Sequence, residues 1–458
     1  MASEQKTPKP KVSVSFVSSG YWPLFTGILV FIMRQSHLYT KTRKEAPKDE
    51  ASKNAILLTR AGFIHKEMAG AYTFLPLGLR VLRKIEDIVR RHMDTVGTEI
   101  LMTTLSPEEN WKNTNRLDTV DVLMRTGPAN EVSKQKSSNS YIINPTHEDM
   151  ITPIAKEYIQ SYKDLPAAFY QIQTKFRNEA RAKSGLLRGR EFRMKDLYSF
   201  HKDQDDLMRY YEAMKPVYMN IYRDIGIADD TFITVASGGD FTPNFSHEFQ
   251  TLVDVGEDTI YLDRANRIAY NKEVVNDETA QKLGVDFSTM EQVSACEVGN
   301  IFPLDTKYTE VLDYTYSDHD GLKKYPYMGC YGIGPSRVMG VIVEKFADEK
   351  GLVWPAAVAP FSVHLISLAK EKDSEAGKLA EELYAKLTES HVEVLFDDRD
   401  ESAGAKFADS DLIGIPMRVV VSEKSIEKGG VEIKERTSDT SEIVTVEQLL
   451  KTYTPNCE

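Results

Sequence analysis

The sequence contains few cysteines, no long apolar segment and no common phosphate-binding loop. Its three cysteines, Cys296, Cys330 and Cys457, lie far apart. This spacing excludes a Cys-x-x-Cys metal site and a disulfide framework, and it favours a reducing compartment. Residues 21–33 form an apolar run of about a dozen residues, which is too short to cross a bilayer. No Gly-x-x-x-x-Gly-Lys-Ser/Thr motif occurs, so the P-loop class of nucleotide-binding proteins is excluded.

The composition is that of a globular protein with more than one domain. The 458 residues are 41% hydrophobic and 28% charged, and a chain of this length is expected to form about two or three domains. The net charge of −12 argues against a nonspecific coating of nucleic acid, but it leaves room for a local RNA site.

The first 32 residues do not fit a globular domain. Lys6, Lys9 and Lys11 precede the apolar run, as in a signal peptide, although no small-residue cleavage site follows. The scarcity of acidic residues also fits a transit segment, which would direct the protein to an organellar matrix. We expect instead that residues 1–32 are a leader outside the mature fold, that Met33 begins the folded chain and that the protein is cytoplasmic.

Residues 170–179 alternate in polarity and predict a strand with one apolar and one polar face. The segment after them suits a loop, and residues 191–198 can return as the second strand of a hairpin. Eight basic and two acidic residues between positions 175 and 195 give a net charge of +6. The basic residues are Lys175, Arg177, Arg181, Lys183, Arg188, Arg190, Arg193 and Lys195. Such a cluster suits a polyphosphate or an RNA end; the alternative is a solvated edge strand whose lysines prevent aggregation.

The sequence Phe176-Arg177-Asn178-Glu179, in this strand–loop–strand setting, resembles motif 2 of the class II aminoacyl-tRNA synthetases. The resemblance implies that Arg177 holds the α-phosphate of ATP and the carboxylate of the amino acid. It also implies that Glu179 contacts the adenine side and that Arg188 belongs to the ATP site. The fold implied is α/β overall, with an α+β catalytic domain built on an antiparallel sheet flanked by helices.

Residues 76–107 are similar to motif 1 of the same class. Pro76 and Gly78 lead into an amphipathic helix that we expect to end at Gly97, and a strand over residues 99–103 follows. Motif 1 forms the dimer interface in class II enzymes, so the resemblance implies a homodimer. The alternative is an ordinary amphipathic helix that packs within its own domain.

Thr146 and Glu148 share a face if the backbone is extended, and a hydroxyl beside a carboxylate makes a cradle for an ammonium group. Another interpretation, compatible with the first, is that Thr146 caps a helix with Asp149 as its capping-box partner. The pattern Pro-Thr-x-Glu, about thirty residues before motif 2, resembles the bacterial-type prolyl-tRNA synthetases. That resemblance implies that Thr146 and Glu148 bind the secondary amine of proline.

Two further stretches match the prolyl family. Residues 190–201 correspond to the second strand of motif 2, which lines the proline pocket, so Tyr198 and His201 are expected there. Ser246-His-Glu-Phe249 corresponds to a strand of the active-site wall, which implies a pocket-lining His247.

Residues 327–344 resemble motif 3. Three glycines permit close approach of the backbone to a ligand, and Pro335 and Ser336 begin a helix whose first turn contains Arg337. An arginine there is favourable only when it faces an anion such as a polyphosphate. The resemblance implies that Arg337 holds the γ-phosphate of ATP with Mg²⁺, for which no protein ligand motif is evident. Cys330 would lie at the mouth of the amino-acid pocket, or it is simply a small buried hydrophobe.

The C-terminal part reads as a separate α/β domain after a Pro/Ala linker at residues 355–360. Its order of strand and helix patterns predicts a mainly parallel sheet. Residues 361–458 resemble the anticodon-binding domain shared by prolyl, threonyl, glycyl and histidyl enzymes. On the strand near residue 431, outward-facing Glu432, Lys434 and Arg436 suit the reading of unstacked anticodon bases.

The chain departs from the prolyl pattern in three places. Asn300 stands where a histidine is commoner, and Asp305 stands where a glycine is commoner. The segment 262–295 is too short for the large editing insertion of many bacterial members, which implies a short form.

Residues 33–354 are thus identified as a class II catalytic domain. The resemblance implies a prolyl-tRNA synthetase that uses ATP and Mg²⁺ to activate L-proline and transfers it to tRNA(Pro), without a membrane partner. Two alternatives are a threonyl-like enzyme and a non-catalytic RNA-binding paralogue. The first would need a zinc-ligand set that the cysteine spacing does not supply; the second would be expected to lose motif residues that remain here.

Overall fold

The computed structural model describes residues 32–47, 50–180, 182 and 184–453. The expected leader, apart from Ile32, lies outside these residues, as do Arg181, Lys183 and Cys457. The strands are β1 Ile32–Arg34, β2 Ile64–Met68, β3 Ala71–Phe74, β4 Thr98–Glu99, β5 Leu105–Ser106, β6 Met124–Thr126, β7 Tyr141–Ile143, β8 Ala167–Phe176, β9 Glu191–His201, β10 Thr231–Ala236, β11 Ser246–Leu252, β12 Asp258–Asp263, β13 Ile268–Asn271, β14 Glu291–Asp305, β15 Tyr316–Ser317, β16 Lys323–Lys324, β17 Tyr327–Ile333, β18 Val363–Ser367, β19 Val394–Asp397, β20 Met417–Val421, β21 Val431–Glu435 and β22 Glu442–Val444.

Helices cover the sheets and connect their strands. They are α1 Lys53–Arg60, α2 Pro76–Met93, α3 Glu108–Asn113, α4 Glu131–Lys136, α5 Glu148–Tyr158, α6 Gln204–Ile225, α7 Asp277–Leu283, α8 Lys307–Val311, α9 Pro335–Phe346, α10 Glu375–Glu389, α11 Ala403–Ile413, α12 Glu423–Glu427 and α13 Val446–Tyr453. Within the part of the chain that the structure describes, no helix is long and apolar enough to cross a membrane.

The catalytic part is built on a nine-stranded, largely antiparallel sheet. Its strand order is β11-β10-β13-β12-β14-β17-β9-β8-β4, and β11 also pairs with β14. The hairpin expected around motif 2 is confirmed, since β8 and β9 pair antiparallel from Ala167 opposite Phe200 to Phe176 opposite Glu191. The edge-strand alternative is wrong, because β8 lies between β9 and β4 and its polar side chains Gln171 and Lys175 are fully buried.

The two faces of this sheet have different roles. Residues that pair directly across neighbouring strands share a face. One face carries Tyr170, Leu197, Tyr331, Ile301 and His247, which are paired in that order. It packs against α2, α6 and α9 in the main hydrophobic core, and we call it the helix face. The other face carries Phe169, Tyr198, Cys330 and Phe302, and we call it the site face.

Helix α2 begins at Pro76, as expected, but it ends at Met93 rather than at Gly97. The strand that follows is only Thr98–Glu99. The apolar stripe of α2 is buried in the main core, and the helix contacts α6 and α9 of its own chain. Packing within its own domain, the alternative interpretation of motif 1, is therefore confirmed for this stripe.

The C-terminal domain has a six-stranded sheet in the order β1-β19-β18-β20-β21-β22. Strands β1, β19, β18 and β20 are parallel, and β21 and β22 are antiparallel to their neighbours. The mainly parallel sheet is thus confirmed. Strand β1, which comes from the start of the described chain, adds an edge that the sequence did not indicate.

The two domains share a continuous core. Phe63 stacks on Trp354 with ring centroids 5.3 Å apart, and the indole of Trp354 donates to the carbonyl of Ile413 at 3.0 Å. Val358 and Ala359 are fully buried. The segment 355–360 connects the two domains, with its second half packed into the core and Ala356 and Ala357 exposed; the domain boundary placed there stays a prediction.

Candidate active site

The turn between β7 and α5 brings Thr146 and Glu148 together on the site face. The Thr146 hydroxyl donates to the Glu148 carboxylate, with oxygen–oxygen distances of 2.6 and 2.8 Å. Glu148 is the first residue of α5, where the helix dipole favours an anion, and its side chain is fully buried. The N-cap of α5 is His147 without a side-chain capping bond. The capping role predicted for Thr146 is therefore wrong, and the cradle geometry is present.

Tyr198 and Cys330 complete this cluster from neighbouring strands. The Tyr198 hydroxyl accepts a hydrogen bond from the backbone N–H of His147 at 2.9 Å. The Cys330 thiol donates to Glu148 Oε1 at 3.3 Å. Burial, and then the charge of Glu148, raise the pKa of Cys330 well above its ordinary value, so the thiol stays protonated and donates. We call Thr146, Glu148, Tyr198 and Cys330 the amine cluster.

A buried cation, Arg116, adjoins the amine cluster, and sequence reasoning missed it. Its guanidinium donates to Glu148 Oε2 at 3.2 Å and to Asp149 Oδ2 at 2.5 Å. The same guanidinium lies 5.1 to 5.7 Å from three aromatic rings; these belong to Trp111, Phe241 and Tyr308. No local pattern marks Arg116, which sits in a polar, irregular segment far from its partners in sequence.

Arg177 follows β8 directly and provides a cation that forms no ion pair with the residues that the structure describes. Its guanidinium lies over the Phe192 ring at 5.2 Å. Its Nε atom is buried and has no hydrogen-bond partner among the described residues. Burial and then the like charge of Arg337 lower the pKa of Arg177. Arg177 is half-buried, and a guanidinium that loses part of its hydration without gaining a partner is stabilised when an anion binds to it, so the site is suited to an anionic ligand.

Arg337 is the third residue of α9, where the sequence placed it. Its Nε donates to the carbonyl of Leu187 at 2.8 Å, and its Nη1 donates to the Glu297 carboxylate at 3.0 Å. Burial is the largest single influence and lowers the pKa of Arg337, but the charges of Glu297, Cys296 and Asp258 and the hydrogen bond with Glu297 together outweigh it, so the pKa is raised. Arg337 and Arg177 therefore form a two-cation site in which Arg337 is paired with Glu297 and Arg177 forms no ion pair with any described carboxylate.

Glu179 and Arg188 are paired with each other. Arg188 Nε donates to Glu179 Oε2 at 2.8 Å, and Arg188 also reaches Glu257 at 3.3 Å. Arg188 is half exposed, whereas the side chain of Glu179 is largely buried. Both residues lie in the loop between β8 and β9, and the charge of Glu179 acts on Arg177.

Three carboxylates form a group that the sequence did not predict; two of them, Glu297 and Asp258, act on Arg337, and the third, Glu248, is repelled by these two. Glu248 on β11, Asp258 on β12 and Glu297 on β14 come from adjoining strands. Burial, and then the charge of Glu297, raise the pKa of Glu248 to about 8. Asn300 donates to Glu297 Oε1 at 2.6 Å, so an amide supplies the donor at this unusual position.

Asp305 adopts a positive φ of 50°, a conformation that glycine accommodates best. The amide of Asn244 donates to Asp305 Oδ2 at 2.8 Å. This hydrogen bond stabilises the turn, which the commoner glycine would adopt without it. The contact belongs to the loop that leads into α8, so Asp305 shapes the site wall indirectly.

His201 and His247 lie on the helix face, away from the amine cluster. His201 contacts Ser199 at 2.9 Å and Asp206 at 3.2 Å. His247 contacts the Tyr211 hydroxyl at 2.8 Å. Burial lowers the pKa of both imidazoles. Their predicted place in the proline pocket is wrong, because the sheet separates them from Glu148.

The basic residues of the motif 2 hairpin do not form one patch. Lys175 is fully buried on the site face and pairs with Asp196 at 2.9 Å. Lys195 is buried on the helix face, where it donates to the Tyr218 hydroxyl at 2.6 Å. Arg193 pairs with Glu86 of α2. The predicted polyphosphate or RNA surface is wrong as a continuous feature, and among the described members Arg177 is left for an anion.

The three residues predicted to read the anticodon have different environments in the structure. Glu432 and Lys434 lie half-buried on β21 and share a face, because they pair with Val420 and Arg418 of β20. Arg436 forms a two-bond ion pair with Asp348, at 2.6 and 2.8 Å, and is 9% exposed. Its predicted anticodon role is wrong, because the guanidinium joins the two domains instead.

Two family models match the chain. Residues 131–346 match the tRNA synthetase class II core domain (G, H, P, S and T), and residues 356–454 match an anticodon binding domain. The first covers the amine cluster, Arg177 and Arg337, whereas Arg116 precedes it. The second covers the six-stranded sheet except β1.

Curated relatives cover most of the chain. A proline-tRNA ligase from Rhizorhabdus wittichii is 38% identical over 441 positions, which include 91% of this chain and 99% of the relative. One from Geobacillus kaustophilus is 34% identical and includes 92% of this chain and 99% of the relative. Its alignment spans 570 positions, so this relative contains a long segment that has no counterpart here.

Solved structures show the same fold. The prolyl-tRNA synthetase of Cryptosporidium parvum, complexed with L-proline and AMP, has a TM-score of 0.70 at 18% identity and covers 87% of this chain and 73% of its own. That of Giardia lamblia, complexed with prolyl-adenylate, has the same score and covers 86% of this chain and 73% of its own. The matches favour the prolyl interpretation over a threonyl-like enzyme or a non-catalytic paralogue, and the chain belongs to the proline-tRNA ligase family of class II aminoacyl-tRNA synthetases.

Proposed function

We propose that the chain activates L-proline with ATP to form prolyl-adenylate and then transfers the prolyl group to the 3′ end of tRNA(Pro). The observation that carries this proposal is the unpaired guanidinium of Arg177. Its pKa responds to Arg337, Glu297, Glu179 and Glu148, so these groups surround it. A zwitterion that binds its carboxylate near the two arginines can place its ammonium group in the amine cluster.

The amine cluster suits the ammonium end of proline. Thr146 and Glu148 provide a hydroxyl and a buried carboxylate, and Tyr198 and Cys330 limit the space beside them. Arg177 would hold the proline carboxylate against the α-phosphate, and Arg337 would bind the β- and γ-phosphates. Glu179 and Arg188 would line the adenine side of the ATP site.

The chemistry requires no strong base. The proline carboxylate oxygen attacks the α-phosphorus of ATP, the bond to the bridging oxygen breaks, and pyrophosphate leaves. In the second step the terminal ribose hydroxyl of the tRNA attacks the prolyl carbonyl, and AMP leaves. Positioning of the reactants and stabilisation of developing charge by Arg177 and Arg337 account for the first step, and Arg177, which holds the α-phosphate, serves the second.

Magnesium fits the carboxylates beside Arg337. Mg²⁺ prefers oxygen ligands and binds triphosphates with one or two protein carboxylates. Glu297 would be the main ligand, and the carbonyl oxygen of Asn300 is available beside it, because the amide nitrogen is the atom that bonds Glu297. Bound Mg²⁺ would neutralise charge on the pyrophosphate as it leaves. It would also keep Glu248 ionised, whose pKa of about 8 reflects repulsion by Glu297 as well as burial.

We also infer a homodimer. Apolar side chains remain exposed near the outer edge of the central sheet, around β4, β5 and α5. They include Leu101 and Tyr158, which are 75% and 73% exposed, and Leu105 and Ile154. Large apolar side chains exposed in this way are what an interface between subunits covers. Light scattering coupled to size-exclusion chromatography measures the mass directly, and a monomer at micromolar concentration would contradict the inference.

The tRNA would contact both domains. Glu432 and Lys434 on β21 remain our candidates for contacts with anticodon bases. Replacing Lys434 with alanine should weaken charging of tRNA(Pro) and leave proline activation unchanged. A cytoplasmic location is inferred from the two described cysteines, Cys296 and Cys330, which are both free thiols; fractionation of the source cells would test it.

Pyrophosphate exchange into ATP tests the proposed function. The assay compares proline, threonine and alanine with protein that begins at Met33. Exchange that depends strongly on proline supports the proposal, and charging of tRNA(Pro) transcripts then tests the second step. Exchange with threonine alone, or none with any amino acid from a folded protein, would reject it.

A further inference from the structure

Two adjacent carboxylates are fully buried beside one cation. Glu148 and Asp149 both have no exposed surface, and Arg116 is 8% exposed. Asp149 accepts hydrogen bonds from Arg116 and from the Thr114 hydroxyl. Glu148 accepts from Thr146 and Cys330 and receives a longer bond from Arg116. Two negative charges and one positive charge leave the pocket with a net charge of −1.

This net charge is what an amino acid with an ammonium group requires. Ionised carboxylates buried without compensation are strongly unfavourable, and two of them in contact retain a proton. One buried carboxylate that lacks a cation is satisfied when the ammonium of a substrate binds. A pocket that binds an ammonium group therefore needs one more buried carboxylate than buried cations. Two carboxylates with one cation meet this requirement, and so does one carboxylate with no cation.

We propose that Arg116 is a positioning residue for proline, which neutralises Asp149 and thereby leaves Glu148 as the single unbalanced anion for the substrate ammonium. The inference rests on the proposed function, since it assumes that proline binds at the amine cluster. It adds a residue outside the three class motifs. Arg116 need not touch proline, because it acts through the two carboxylates.

The aromatic rings explain why an arginine suits this position. The planar guanidinium lies 5.1 Å from Trp111 and 5.4 Å from Tyr308, and such rings stabilise a cation that has lost its water. The Tyr308 hydroxyl is buried and has no hydrogen-bond partner among the described residues. The ring of Tyr308 therefore packs against Arg116, and its hydroxyl is available to hydrogen-bond a ligand.

Other titratable groups face the pair and do not change its charge at neutral pH. Tyr198 and Tyr308 stay protonated, because burial raises the pKa of both phenols. Cys330 stays protonated for the same reason. Lys307 faces the pair from α8, but its side chain is exposed and bonds to backbone carbonyls of residues 240 and 241, so solvent screens its charge. Lys175 also acts on Glu148, but its charge is balanced by Asp196, and burial lowers the pKa of His147, which stays neutral. Arg177 faces it from the end of β8 and serves the carboxylate of the substrate.

A charge-balance cycle tests the inference. Arg116→Gln leaves two carboxylates, Asp149→Asn leaves Glu148 paired with Arg116, and the double variant leaves Glu148 alone. Proline-dependent pyrophosphate exchange is measured for each from about pH 6 to pH 9, with KM for proline and for ATP determined separately. Circular dichroism and thermal unfolding confirm that each variant is folded. Arg116→Lys is a conservative variant that keeps the charge if Arg116→Gln fails to fold.

Each single variant should raise KM for proline by about tenfold or more, with KM for ATP within about twofold of wild type, since only the amine end is affected. The double variant should recover most of the loss, because it restores a single anion. In Arg116→Gln the acidic limb of the pH profile for kcat/KM should move upward by about one pH unit or more, because the two carboxylates retain a proton.

Two results would overturn the inference. Losses in the double variant that equal or exceed the sum of the single losses, without a shift of the pH profile, would show that Arg116 has only a structural role. An equal rise in KM for ATP and proline would have the same meaning. If wild-type protein shows no proline-dependent exchange, the proposed function fails together with the inference; if wild type is active and the cycle is additive, only the inference fails.

Discussion

Arg177 offers a direct test, because the structure separates its role in function from any role in stability. The guanidinium makes no ion pair with a described residue, its Nε lacks a partner, and Arg337 repels it. Replacing it with glutamine removes a half-buried charge that no described carboxylate pairs with directly. The free energy of unfolding should therefore change by no more than about 1 kcal/mol, or rise. Loss of a charge that stabilises the transition state should lower exchange by on the order of 10²- to 10³-fold.

Arg193 in the same hairpin is the matched control. It lies on the helix face, donates to Glu86 at 2.7 Å, to Thr174 at 3.3 Å and to the carbonyl of Ile172 at 3.2 Å. Arg193→Gln leaves the buried Glu86 carboxylate without its cation. The expected loss is about 1 to 2 kcal/mol, a value reduced because the Arg193 side chain is 29% exposed. The activity of the folded protein should stay within a few-fold of wild type.

The assay pairs urea unfolding with pyrophosphate exchange on the same samples. The two variants should show opposite patterns, with activity lost in Arg177→Gln and stability lost in Arg193→Gln. If Arg177→Gln unfolds as readily as Arg193→Gln, its inactivity has a structural cause and the anion site is not supported. If Arg177→Gln retains full exchange, the assignment of the proline carboxylate and α-phosphate to Arg177 is wrong.

Three further predictions follow from the site and the domain contact. Arg337→Ala should abolish ATP-dependent activation with an unchanged circular dichroism spectrum, and normal exchange would refute its assignment to the phosphates. The purified protein should not hydrolyse alanyl-tRNA, because the short segment between β12 and β14 contains no large insertion; rapid deacylation would contradict this. Arg436 lowers the pKa of Asp348 to about 2, so the stability that this ion pair contributes is complete above about pH 4 and is lost as the pH falls towards 2. The difference in melting temperature between wild type and Asp348→Asn should accordingly be constant from pH 7 to about 4.5 and shrink below that, and a constant difference at pH 3 would refute the link.

Local patterns in the sequence predicted the elements that carry the site. The alternation of β8, the apolar stripe of α2 and the start of α9 at Pro335 are encoded within single segments. The hairpin and its loop followed from turn residues between two alternating runs. Arg177, Glu148 and Arg337 were found through the resemblance of their motifs to class II synthetases, and the strand and helix patterns only placed them in the fold.

The face of the sheet on which a strand residue lies was less predictable than the strand itself. Tyr198 and His201 are three residues apart on β9, so the period of two places them on opposite faces. The strand periodicity alone therefore makes the two assignments to one pocket incompatible. His247 is different, because its face depends on the register of β11 against β14, which involves residues about fifty positions apart.

In motif 3, too, the sequence does not tell which face of the sheet a residue occupies. Its glycines were interpreted as space for a ligand, but a side chain at Gly329 would collide with the Tyr331 hydroxyl. This glycine is needed for packing on the helix face. Gly332 lies on the site face opposite Asn300. Sequence identifies the glycines, and only the pairing of β17 with its neighbours assigns each one to packing or to the site.

The groups that were missed are joined only by the tertiary fold. Arg116 reaches Glu148 across 32 residues, and Glu297 reaches Arg337 across 40. No periodicity links such pairs. The same holds for Arg34 of β1, which donates to Glu381 at 2.6 and 2.9 Å in the C-terminal domain. Long-range ion pairs are therefore the part of this site that sequence patterns cannot supply.

The ion pairs and hydrogen bonds within the site explain why its two oppositely charged ends do not bind each other. Arg177 and Glu148 have opposite charges and lie within electrostatic reach of one another, yet they form no direct contact in the described structure. Glu148 is held by Thr146, Cys330 and Arg116, and Arg337 is held by Glu297. Each end of the pocket is thus fixed before the substrate arrives, which limits the reorganisation that binding requires. A zwitterion then completes both ends, with its ammonium at Glu148 and its carboxylate at Arg177, and this arrangement presents the attacking oxygen towards the site of the α-phosphate.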